Sequence, residues 1–124
     1  MDLLIDTQAL VWTISEDRRF TANMRSAIES EANRIFVSAV TAFEFHDLER
    51  RGRLPPEALL ERVVERLRAV VLDYPGEAWR LVSQLPLHHL DPVDRMLIAH
   101  AIYADLTLVT ADETIRRYPV RTLW

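Results

Sequence analysis

The sequence predicts an α/β fold, a three-layer α/β/α sandwich around a short parallel sheet, and three observations carry that expectation. Four short apolar runs, Leu3-Leu4-Ile5, Ile35-Phe36-Val37-Ser38, Val70-Val71-Leu72 and Leu106 to Val109, have the length of buried strands. Between them lie longer segments whose apolar residues recur at helical spacing. Strands that alternate with helices imply right-handed βαβ units and a parallel sheet covered on both faces.

Taken in order, the first strand ends at Asp6-Thr7, which reads as a turn or helix cap, and Thr7 to about Ile14 is helical. A second helix spans Ala22 to Ala32, with Met24, Ala27 and Ile28 on one side. After the second strand, Ala39 to about Arg50 forms a helix that Gly52 is placed to end. Pro55-Pro56 opens another, about Glu57 to Arg68, carrying Leu59, Leu60, Val63, Val64 and Leu67 at helical spacing. Past the third strand, Pro75 opens a helix to about Leu85, and Asp91-Pro92 starts one to about Ala104. The fourth strand ends at Thr110-Ala111-Asp112, and a short helix and a last strand, Val120 to Leu123, follow. With 124 residues and no repeat, low-complexity stretch or linker, one domain over 1–124 is expected.

Composition removes several function classes. A hydrophobic share of 49% suffices for a core, so disorder is not expected. There is no cysteine, which excludes disulfides, zinc–thiolate sites and cysteine nucleophiles. All 15 basic residues are arginine, so no mechanism can use a catalytic lysine. Gly52 and Gly76 are the two glycines, too few for a Gly-rich phosphate loop. The net charge of -4 argues against a simple basic groove for nucleic acid, although clustered carboxylates that hold a divalent cation can still bind phosphate. The start, with Asp2 and Asp6, does not read as a signal peptide, and no apolar stretch nears the roughly 20 residues of a membrane span. A soluble, cytoplasmic protein without membrane contact is expected.

The acids carry the chemistry. Ligands of open parallel sheets sit outside the carboxyl ends of the strands, and Asp6 and Asp112 follow the first and fourth strands. Glu44, flanked by Phe43 and Phe45, is costly to bury without a partner, though it could equally turn to solvent. Asp91 is a natural N-cap and Asp94 favours the helix dipole; the same first turn could also face Asp94 toward the strand edge, and Asp91 could serve both purposes. A phosphoaspartate receiver would need a lysine. A haloacid-dehalogenase-like phosphatase would want an acid where Gln8 stands. A dinucleotide fold would need glycines after the first strand. What remains is a carboxylate cage for Mg²⁺ or Mn²⁺, hard cations suited to oxygen ligands.

Four stretches together resemble bacterial PIN-domain proteins, and VapC-type toxins of toxin–antitoxin pairs in particular. They are Leu4-Ile5-Asp6-Thr7 with Ala9-Leu10-Val11-Trp12; Val37-Ser38-Ala39-Val40-Thr41 leading to Glu44; Leu85 through His89, Asp91-Pro92-Val93-Asp94-Arg95 and Ala99; and Leu108-Val109-Thr110-Ala111-Asp112. The resemblance implies a PIN-like fold and an acidic site at Asp6, Glu44, Asp94 and Asp112. Asp6 and Asp94 would be the main metal ligands, with Glu44 and Asp112 ligating directly or through water, and Asp91 an additional candidate. It implies hydrolysis of RNA by a water that Mg²⁺ or Mn²⁺ activates, leaving a 5′-phosphate. It further implies a homodimer and a cognate antitoxin. The alternatives are a catalytically silent PIN-fold interaction module and a housekeeping PIN ribonuclease without antitoxin.

The helix after Glu44 departs from the family in being more acidic, and Arg50, Arg51 and Arg53 are candidates for phosphate or partner contacts, or simply for a solvated helix end. His46, His88, His89 and His100 lack a paired metal spacing and are read as non-ligands. Trp12, Phe20, Trp79 and Trp124 are expected in the core or on a partner surface, and Arg95 is expected to pair with an acid.

Overall fold

The computed structural model describes residues 1–56 and 58–124. Five strands, β1 (Asp2–Ile5), β2 (Arg34–Ser38), β3 (Val70–Leu72), β4 (Thr107–Val109) and β5 (Thr122–Leu123), form one sheet. Their order is β3-β2-β1-β4-β5 and every pairing is parallel. The chain thus steps outward from β1 to β3 and then returns to the other side of β1. That reversal leaves a crevice at the carboxyl ends of β1 and β4, the place where open α/β sheets bind ligands.

The helices are α1 (Thr7–Ser15), α2 (Ala22–Glu29), α3 (Ala39–Arg50), α4 (Leu60–Leu67), α5 (Trp79–Gln84) and α6 (Pro92–Tyr103). The period-2 alternation of the central strand sorts them into two layers. Leu3 and Ile5 point to one side, into a cluster with Leu10 of α1, Met24 and Ile28 of α2 and Val63 of α4. Leu4 points to the other, into a cluster with Leu97, Ile98 and Ala101 of α6, Leu108 and Ile115. Leu3, Leu4 and Ile5 are all buried, which is why β1 reads as an unbroken apolar run rather than an alternating one. Each such side chain taken out of water contributes about 1.5–3 kcal/mol.

The helix starts follow their capping chemistry. Asp6, Thr21, Ser38 and Asp91 each accept a backbone N–H of the first turn. Gly52 takes φ 68° just past α3, the left-handed geometry that a glycine adopts without strain.

Several boundaries differ from expectation. α2 stops at Glu29 rather than Ala32, because the Asn33 amide donates to the Ala27 carbonyl at 2.8 Å and turns the chain toward β2. β2 begins at Arg34, paired with Asp2 through a two-nitrogen ion pair. The helix expected from about Glu57 is described from Leu60 onward; Glu57 itself lies outside the described residues. The segment opened by Pro75 begins as a 3-10 turn over Gly76–Ala78 before α5. β4 starts at Thr107 and β5 is confined to Thr122–Leu123. No helix among the described residues is long and apolar enough to cross a membrane.

Candidate functional site

Asp6 leaves the end of β1 and enters α1, and one carboxylate oxygen accepts the Ala9 N–H at 2.7 Å. It is 6% exposed. Asp112 stands just beyond β4: its N–H donates to the Thr110 hydroxyl at 3.1 Å, and its Oδ1 accepts the Thr114 N–H at 2.9 Å. The register Ile5↔Val109 holds the two chain exits side by side.

Glu44 lies in α3 between Phe45, which is fully buried, and Phe43, which is 72% exposed. Steps of about 100° around the helix put Glu44 on neither the core face nor the outer face but on the side toward the sheet edge. Asp94 is in the first turn of α6, whose N-cap is Asp91, accepting the N–H groups of Val93 and Asp94 at 2.8 and 3.3 Å. Asp6, Glu44, Asp91, Asp94 and Asp112, the five acids that sequence reasoning singled out, all line one cavity of about 570 Å³.

Two further residues join this group of acids, Asp47 at the cavity wall and His89 against Asp94 and Asp112. Asp47, one helical turn after Glu44, also lines the cavity, paired with Arg50 at 3.1 Å and Arg51 at 3.0 Å. Arg51 lines it too, and Arg50 and Arg51, exposed at the end of α3, both pair with this acid. The second is His89, whose Nε2 is 2.8 Å from Oδ2 of Asp112 and 3.2 Å from Oδ2 of Asp94. His89 sits in a loop, so no periodic spacing in the sequence announces it.

The electrostatics are those of an acid cluster short of cations. Burial pushes the Asp6 carboxyl up to about 6, and the charges of Asp112 and Glu44 push the same way against hydrogen bonds from Thr110 and Ala9. Burial likewise lifts Asp94 to about 7, helped by Asp91, Glu44 and Asp6 and opposed by His89. Oxygen donors crowded until they resist ionisation are what a hard divalent cation relieves, and Asp94 and Asp112 bring carboxylate oxygens within 4.8 Å of one another. The carboxylate donors therefore fit a hard divalent cation.

Arg95 departs from its expected ion pair. Its guanidinium donates to the carbonyls of Val82 and Pro86 at 2.9 Å and of Leu85 at 3.2 Å, clamping the loop before α6. Trp12 and Phe20 lie in the core, Trp124 meets Trp12 edge-on at 5.3 Å, and Trp79 is 61% exposed.

Residues 3–120 match the PIN domain family. Ribonuclease VapC22 of Mycobacterium tuberculosis is 30% identical over 130 residues, covering 98% of each chain. Among solved structures, VapBC2 from Rickettsia felis, bound to a DNA fragment from its promoter, superposes with a TM-score of 0.70 at 18% identity, over 99% of this chain and 98% of that one. DNA-bound VapBC from Salmonella typhimurium gives 0.64 at 22% identity, over 99% and 97%.

Proposed function

The chain belongs to the PIN-domain family, and from that premise we propose that it is a divalent-metal-dependent endoribonuclease, the toxin of a toxin–antitoxin pair. The observation that carries the reading is the convergence of Asp6, Glu44, Asp94 and Asp112, from distant parts of the chain, on one cavity at the carboxyl edge of the sheet. The ribonuclease assignment draws on the relative at 30% identity.

In this reading Asp6 and Asp94 are the principal ligands of Mg²⁺ or Mn²⁺. Glu44 and Asp112 complete the set directly or through water, and Asp91 is held mainly by its capping role. The bound ion supplies Lewis-acid stabilisation of the charge developing on an RNA phosphodiester and lowers the pKa of a water. The protein's part is to hold the acids. The Ala9 N–H holds the Asp6 carboxylate and the Thr114 N–H holds that of Asp112, so neither has to be ordered when substrate arrives. A carboxylate at the cavity wall, Glu44 by position, orients the attacking water and accepts its proton. Arg51, which lines the cavity paired with Asp47, would have to leave that partner to reach the phosphate backbone.

The partners in this reading are RNA, an antitoxin and a second copy of the chain. Phe43, Trp79, Leu87 and Leu90 are large apolar side chains left exposed.

The test is cleavage of a pool of structured RNAs by wild type, Asp6→Asn and Asp94→Asn, with Mg²⁺, with Mn²⁺ and with chelator. Metal-dependent cleavage by wild type and none by either amide variant is expected, since an amide keeps the shape and removes the charge. Cleavage in chelator, or equal activity in the variants, sinks the mechanism.

A further inference from the structure

The imidazole of His89, 17% exposed, is wedged between two of the acids, with Nε2 at 2.8 Å from Oδ2 of Asp112 and 3.2 Å from Oδ2 of Asp94. Its other ring nitrogen is already committed: Nδ1 accepts the backbone N–H of Asp91 at 3.1 Å. A ring nitrogen that accepts an N–H carries no proton, so the hydrogen-bond network assigns the ring proton to Nε2, aimed at Asp112. Ligation of a cation through Nε2 would require the opposite tautomer, with an Nδ1–H facing the Asp91 N–H. Nor is the residue free to move. Its N–H donates to the Tyr118 hydroxyl at 2.8 Å, and that hydroxyl and Arg95 both hold the Pro86 carbonyl of the same loop, at 2.7 and 2.9 Å.

We propose that His89 is a positioning residue that donates its Nε2–H to Asp112, with Asp94 at 3.2 Å from the same nitrogen, and that it competes with a divalent cation for these oxygens instead of ligating it. The inference rests on the cavity being a metal site. The three ligand atoms lie within 4.8 Å of one another, so the N–H and an entering ion claim the same oxygens. Hydrogen bonds to an ionised acceptor are the strong kind. Giving the bond to Asp112 up on metal binding lowers the site's affinity, and removing the donor raises it.

The sign of the effect separates this role from ligation. Mn²⁺ is titrated into wild type, His89→Ala, His89→Gln and Asp94→Asn without RNA, with free Mn²⁺ read by electron paramagnetic resonance. His89→Ala should bind Mn²⁺ roughly tenfold more tightly than wild type, the loss of about one charge-assisted hydrogen bond. His89→Gln, whose amide N–H reaches the place of Nε2, should return toward wild type. In the unsubstituted protein, ¹⁵N spectra of the ring should show Nε2 protonated and Nδ1 bare. Weaker or unchanged Mn²⁺ binding in His89→Ala overturns the proposal while leaving the metal site standing, as does a proton on Nδ1. Absence of Mn²⁺ binding by wild type, with no change in Asp94→Asn, removes the metal site itself and the proposal with it.

Discussion

The Arg95 guanidinium turns away from its sequence neighbour Asp94 and donates to the Pro86 carbonyl at 2.9 Å. With its bonds to Val82 and Leu85, it ties the end of α5 and the following loop to the first turn of α6. That loop presents His89, and the same first turn presents Asp94. Arg95→Ala should therefore cost about 2–3 kcal/mol in urea denaturation, as expected for charge-assisted bonds to carbonyls left without their donor. Arg95→Lys should recover little, because a single ammonium cannot span carbonyls that a planar fork reaches. Tyr118→Phe, which strips a hydroxyl from the Pro86 carbonyl and the His89 N–H, should cost about 1–2 kcal/mol. An Arg95→Lys variant as stable as wild type would show that the clamp is decorative.

A second expectation concerns pH. The folded-state pKa of Asp6, about 6, lies above its ordinary value of 3.8, so between those values the folded protein binds more protons than the unfolded chain. The associated stability is present in full below about pH 4 and is lost as pH rises through about 6. Asp94, lifted to about 7, acts in the same direction over a wider window. In metal-free buffer Asp6→Asn should exceed wild type by on the order of 1–3 kcal/mol at pH 8 and match it near pH 4. Asparagine retains an oxygen for the Ala9 N–H, so the cap of α1 survives. Urea melts at pH 4, 6 and 8 measure the gap, and a gap that does not change with pH removes the ionisation argument.

How far the sequence foretold this arrangement depends on the range of the contacts involved. β1 was legible because Leu3, Leu4 and Ile5 are all buried in a central strand, and Asp6 and Asp112 because a strand end points a side chain by itself. The position of Glu44 was open in the sequence, and the inward Phe45 and outward Phe43 settle which side of α3 it takes. The end of α2 was misjudged because the Asn33 side chain, and not propensity, terminates that segment. His89 was illegible: its place is set by Tyr118, 29 residues away, and by a loop that Arg95 holds. Asp47 was hidden for the opposite reason, since an acid with arginines three and four residues later looks like an ordinary solvated ion pair.

Asp91 offers the last separation of roles, because it is at once the cap of α6 and one of the acids around the cavity. Asp91→Asn keeps an oxygen for the N–H groups of Val93 and Asp94, and asparagine is as good an N-cap as aspartate. It removes a negative charge that helps to raise the Asp94 pKa. Asp91→Ala loses the charge and the cap together. If capping dominates, Asp91→Ala should lose about 1 kcal/mol in urea denaturation while Asp91→Asn stays close to wild type, and both should retain RNA cleavage far above Asp94→Asn. If Asp91 is a metal ligand, the two variants should instead fall together in cleavage and in Mn²⁺ affinity, whatever their stability. The capping outcome is the expected one. Asp91 points its Oδ1 into the first turn at 2.8 Å from the Val93 nitrogen and is itself exposed, whereas Asp94, three residues on in that turn, is the acid that burial has made reluctant to ionise.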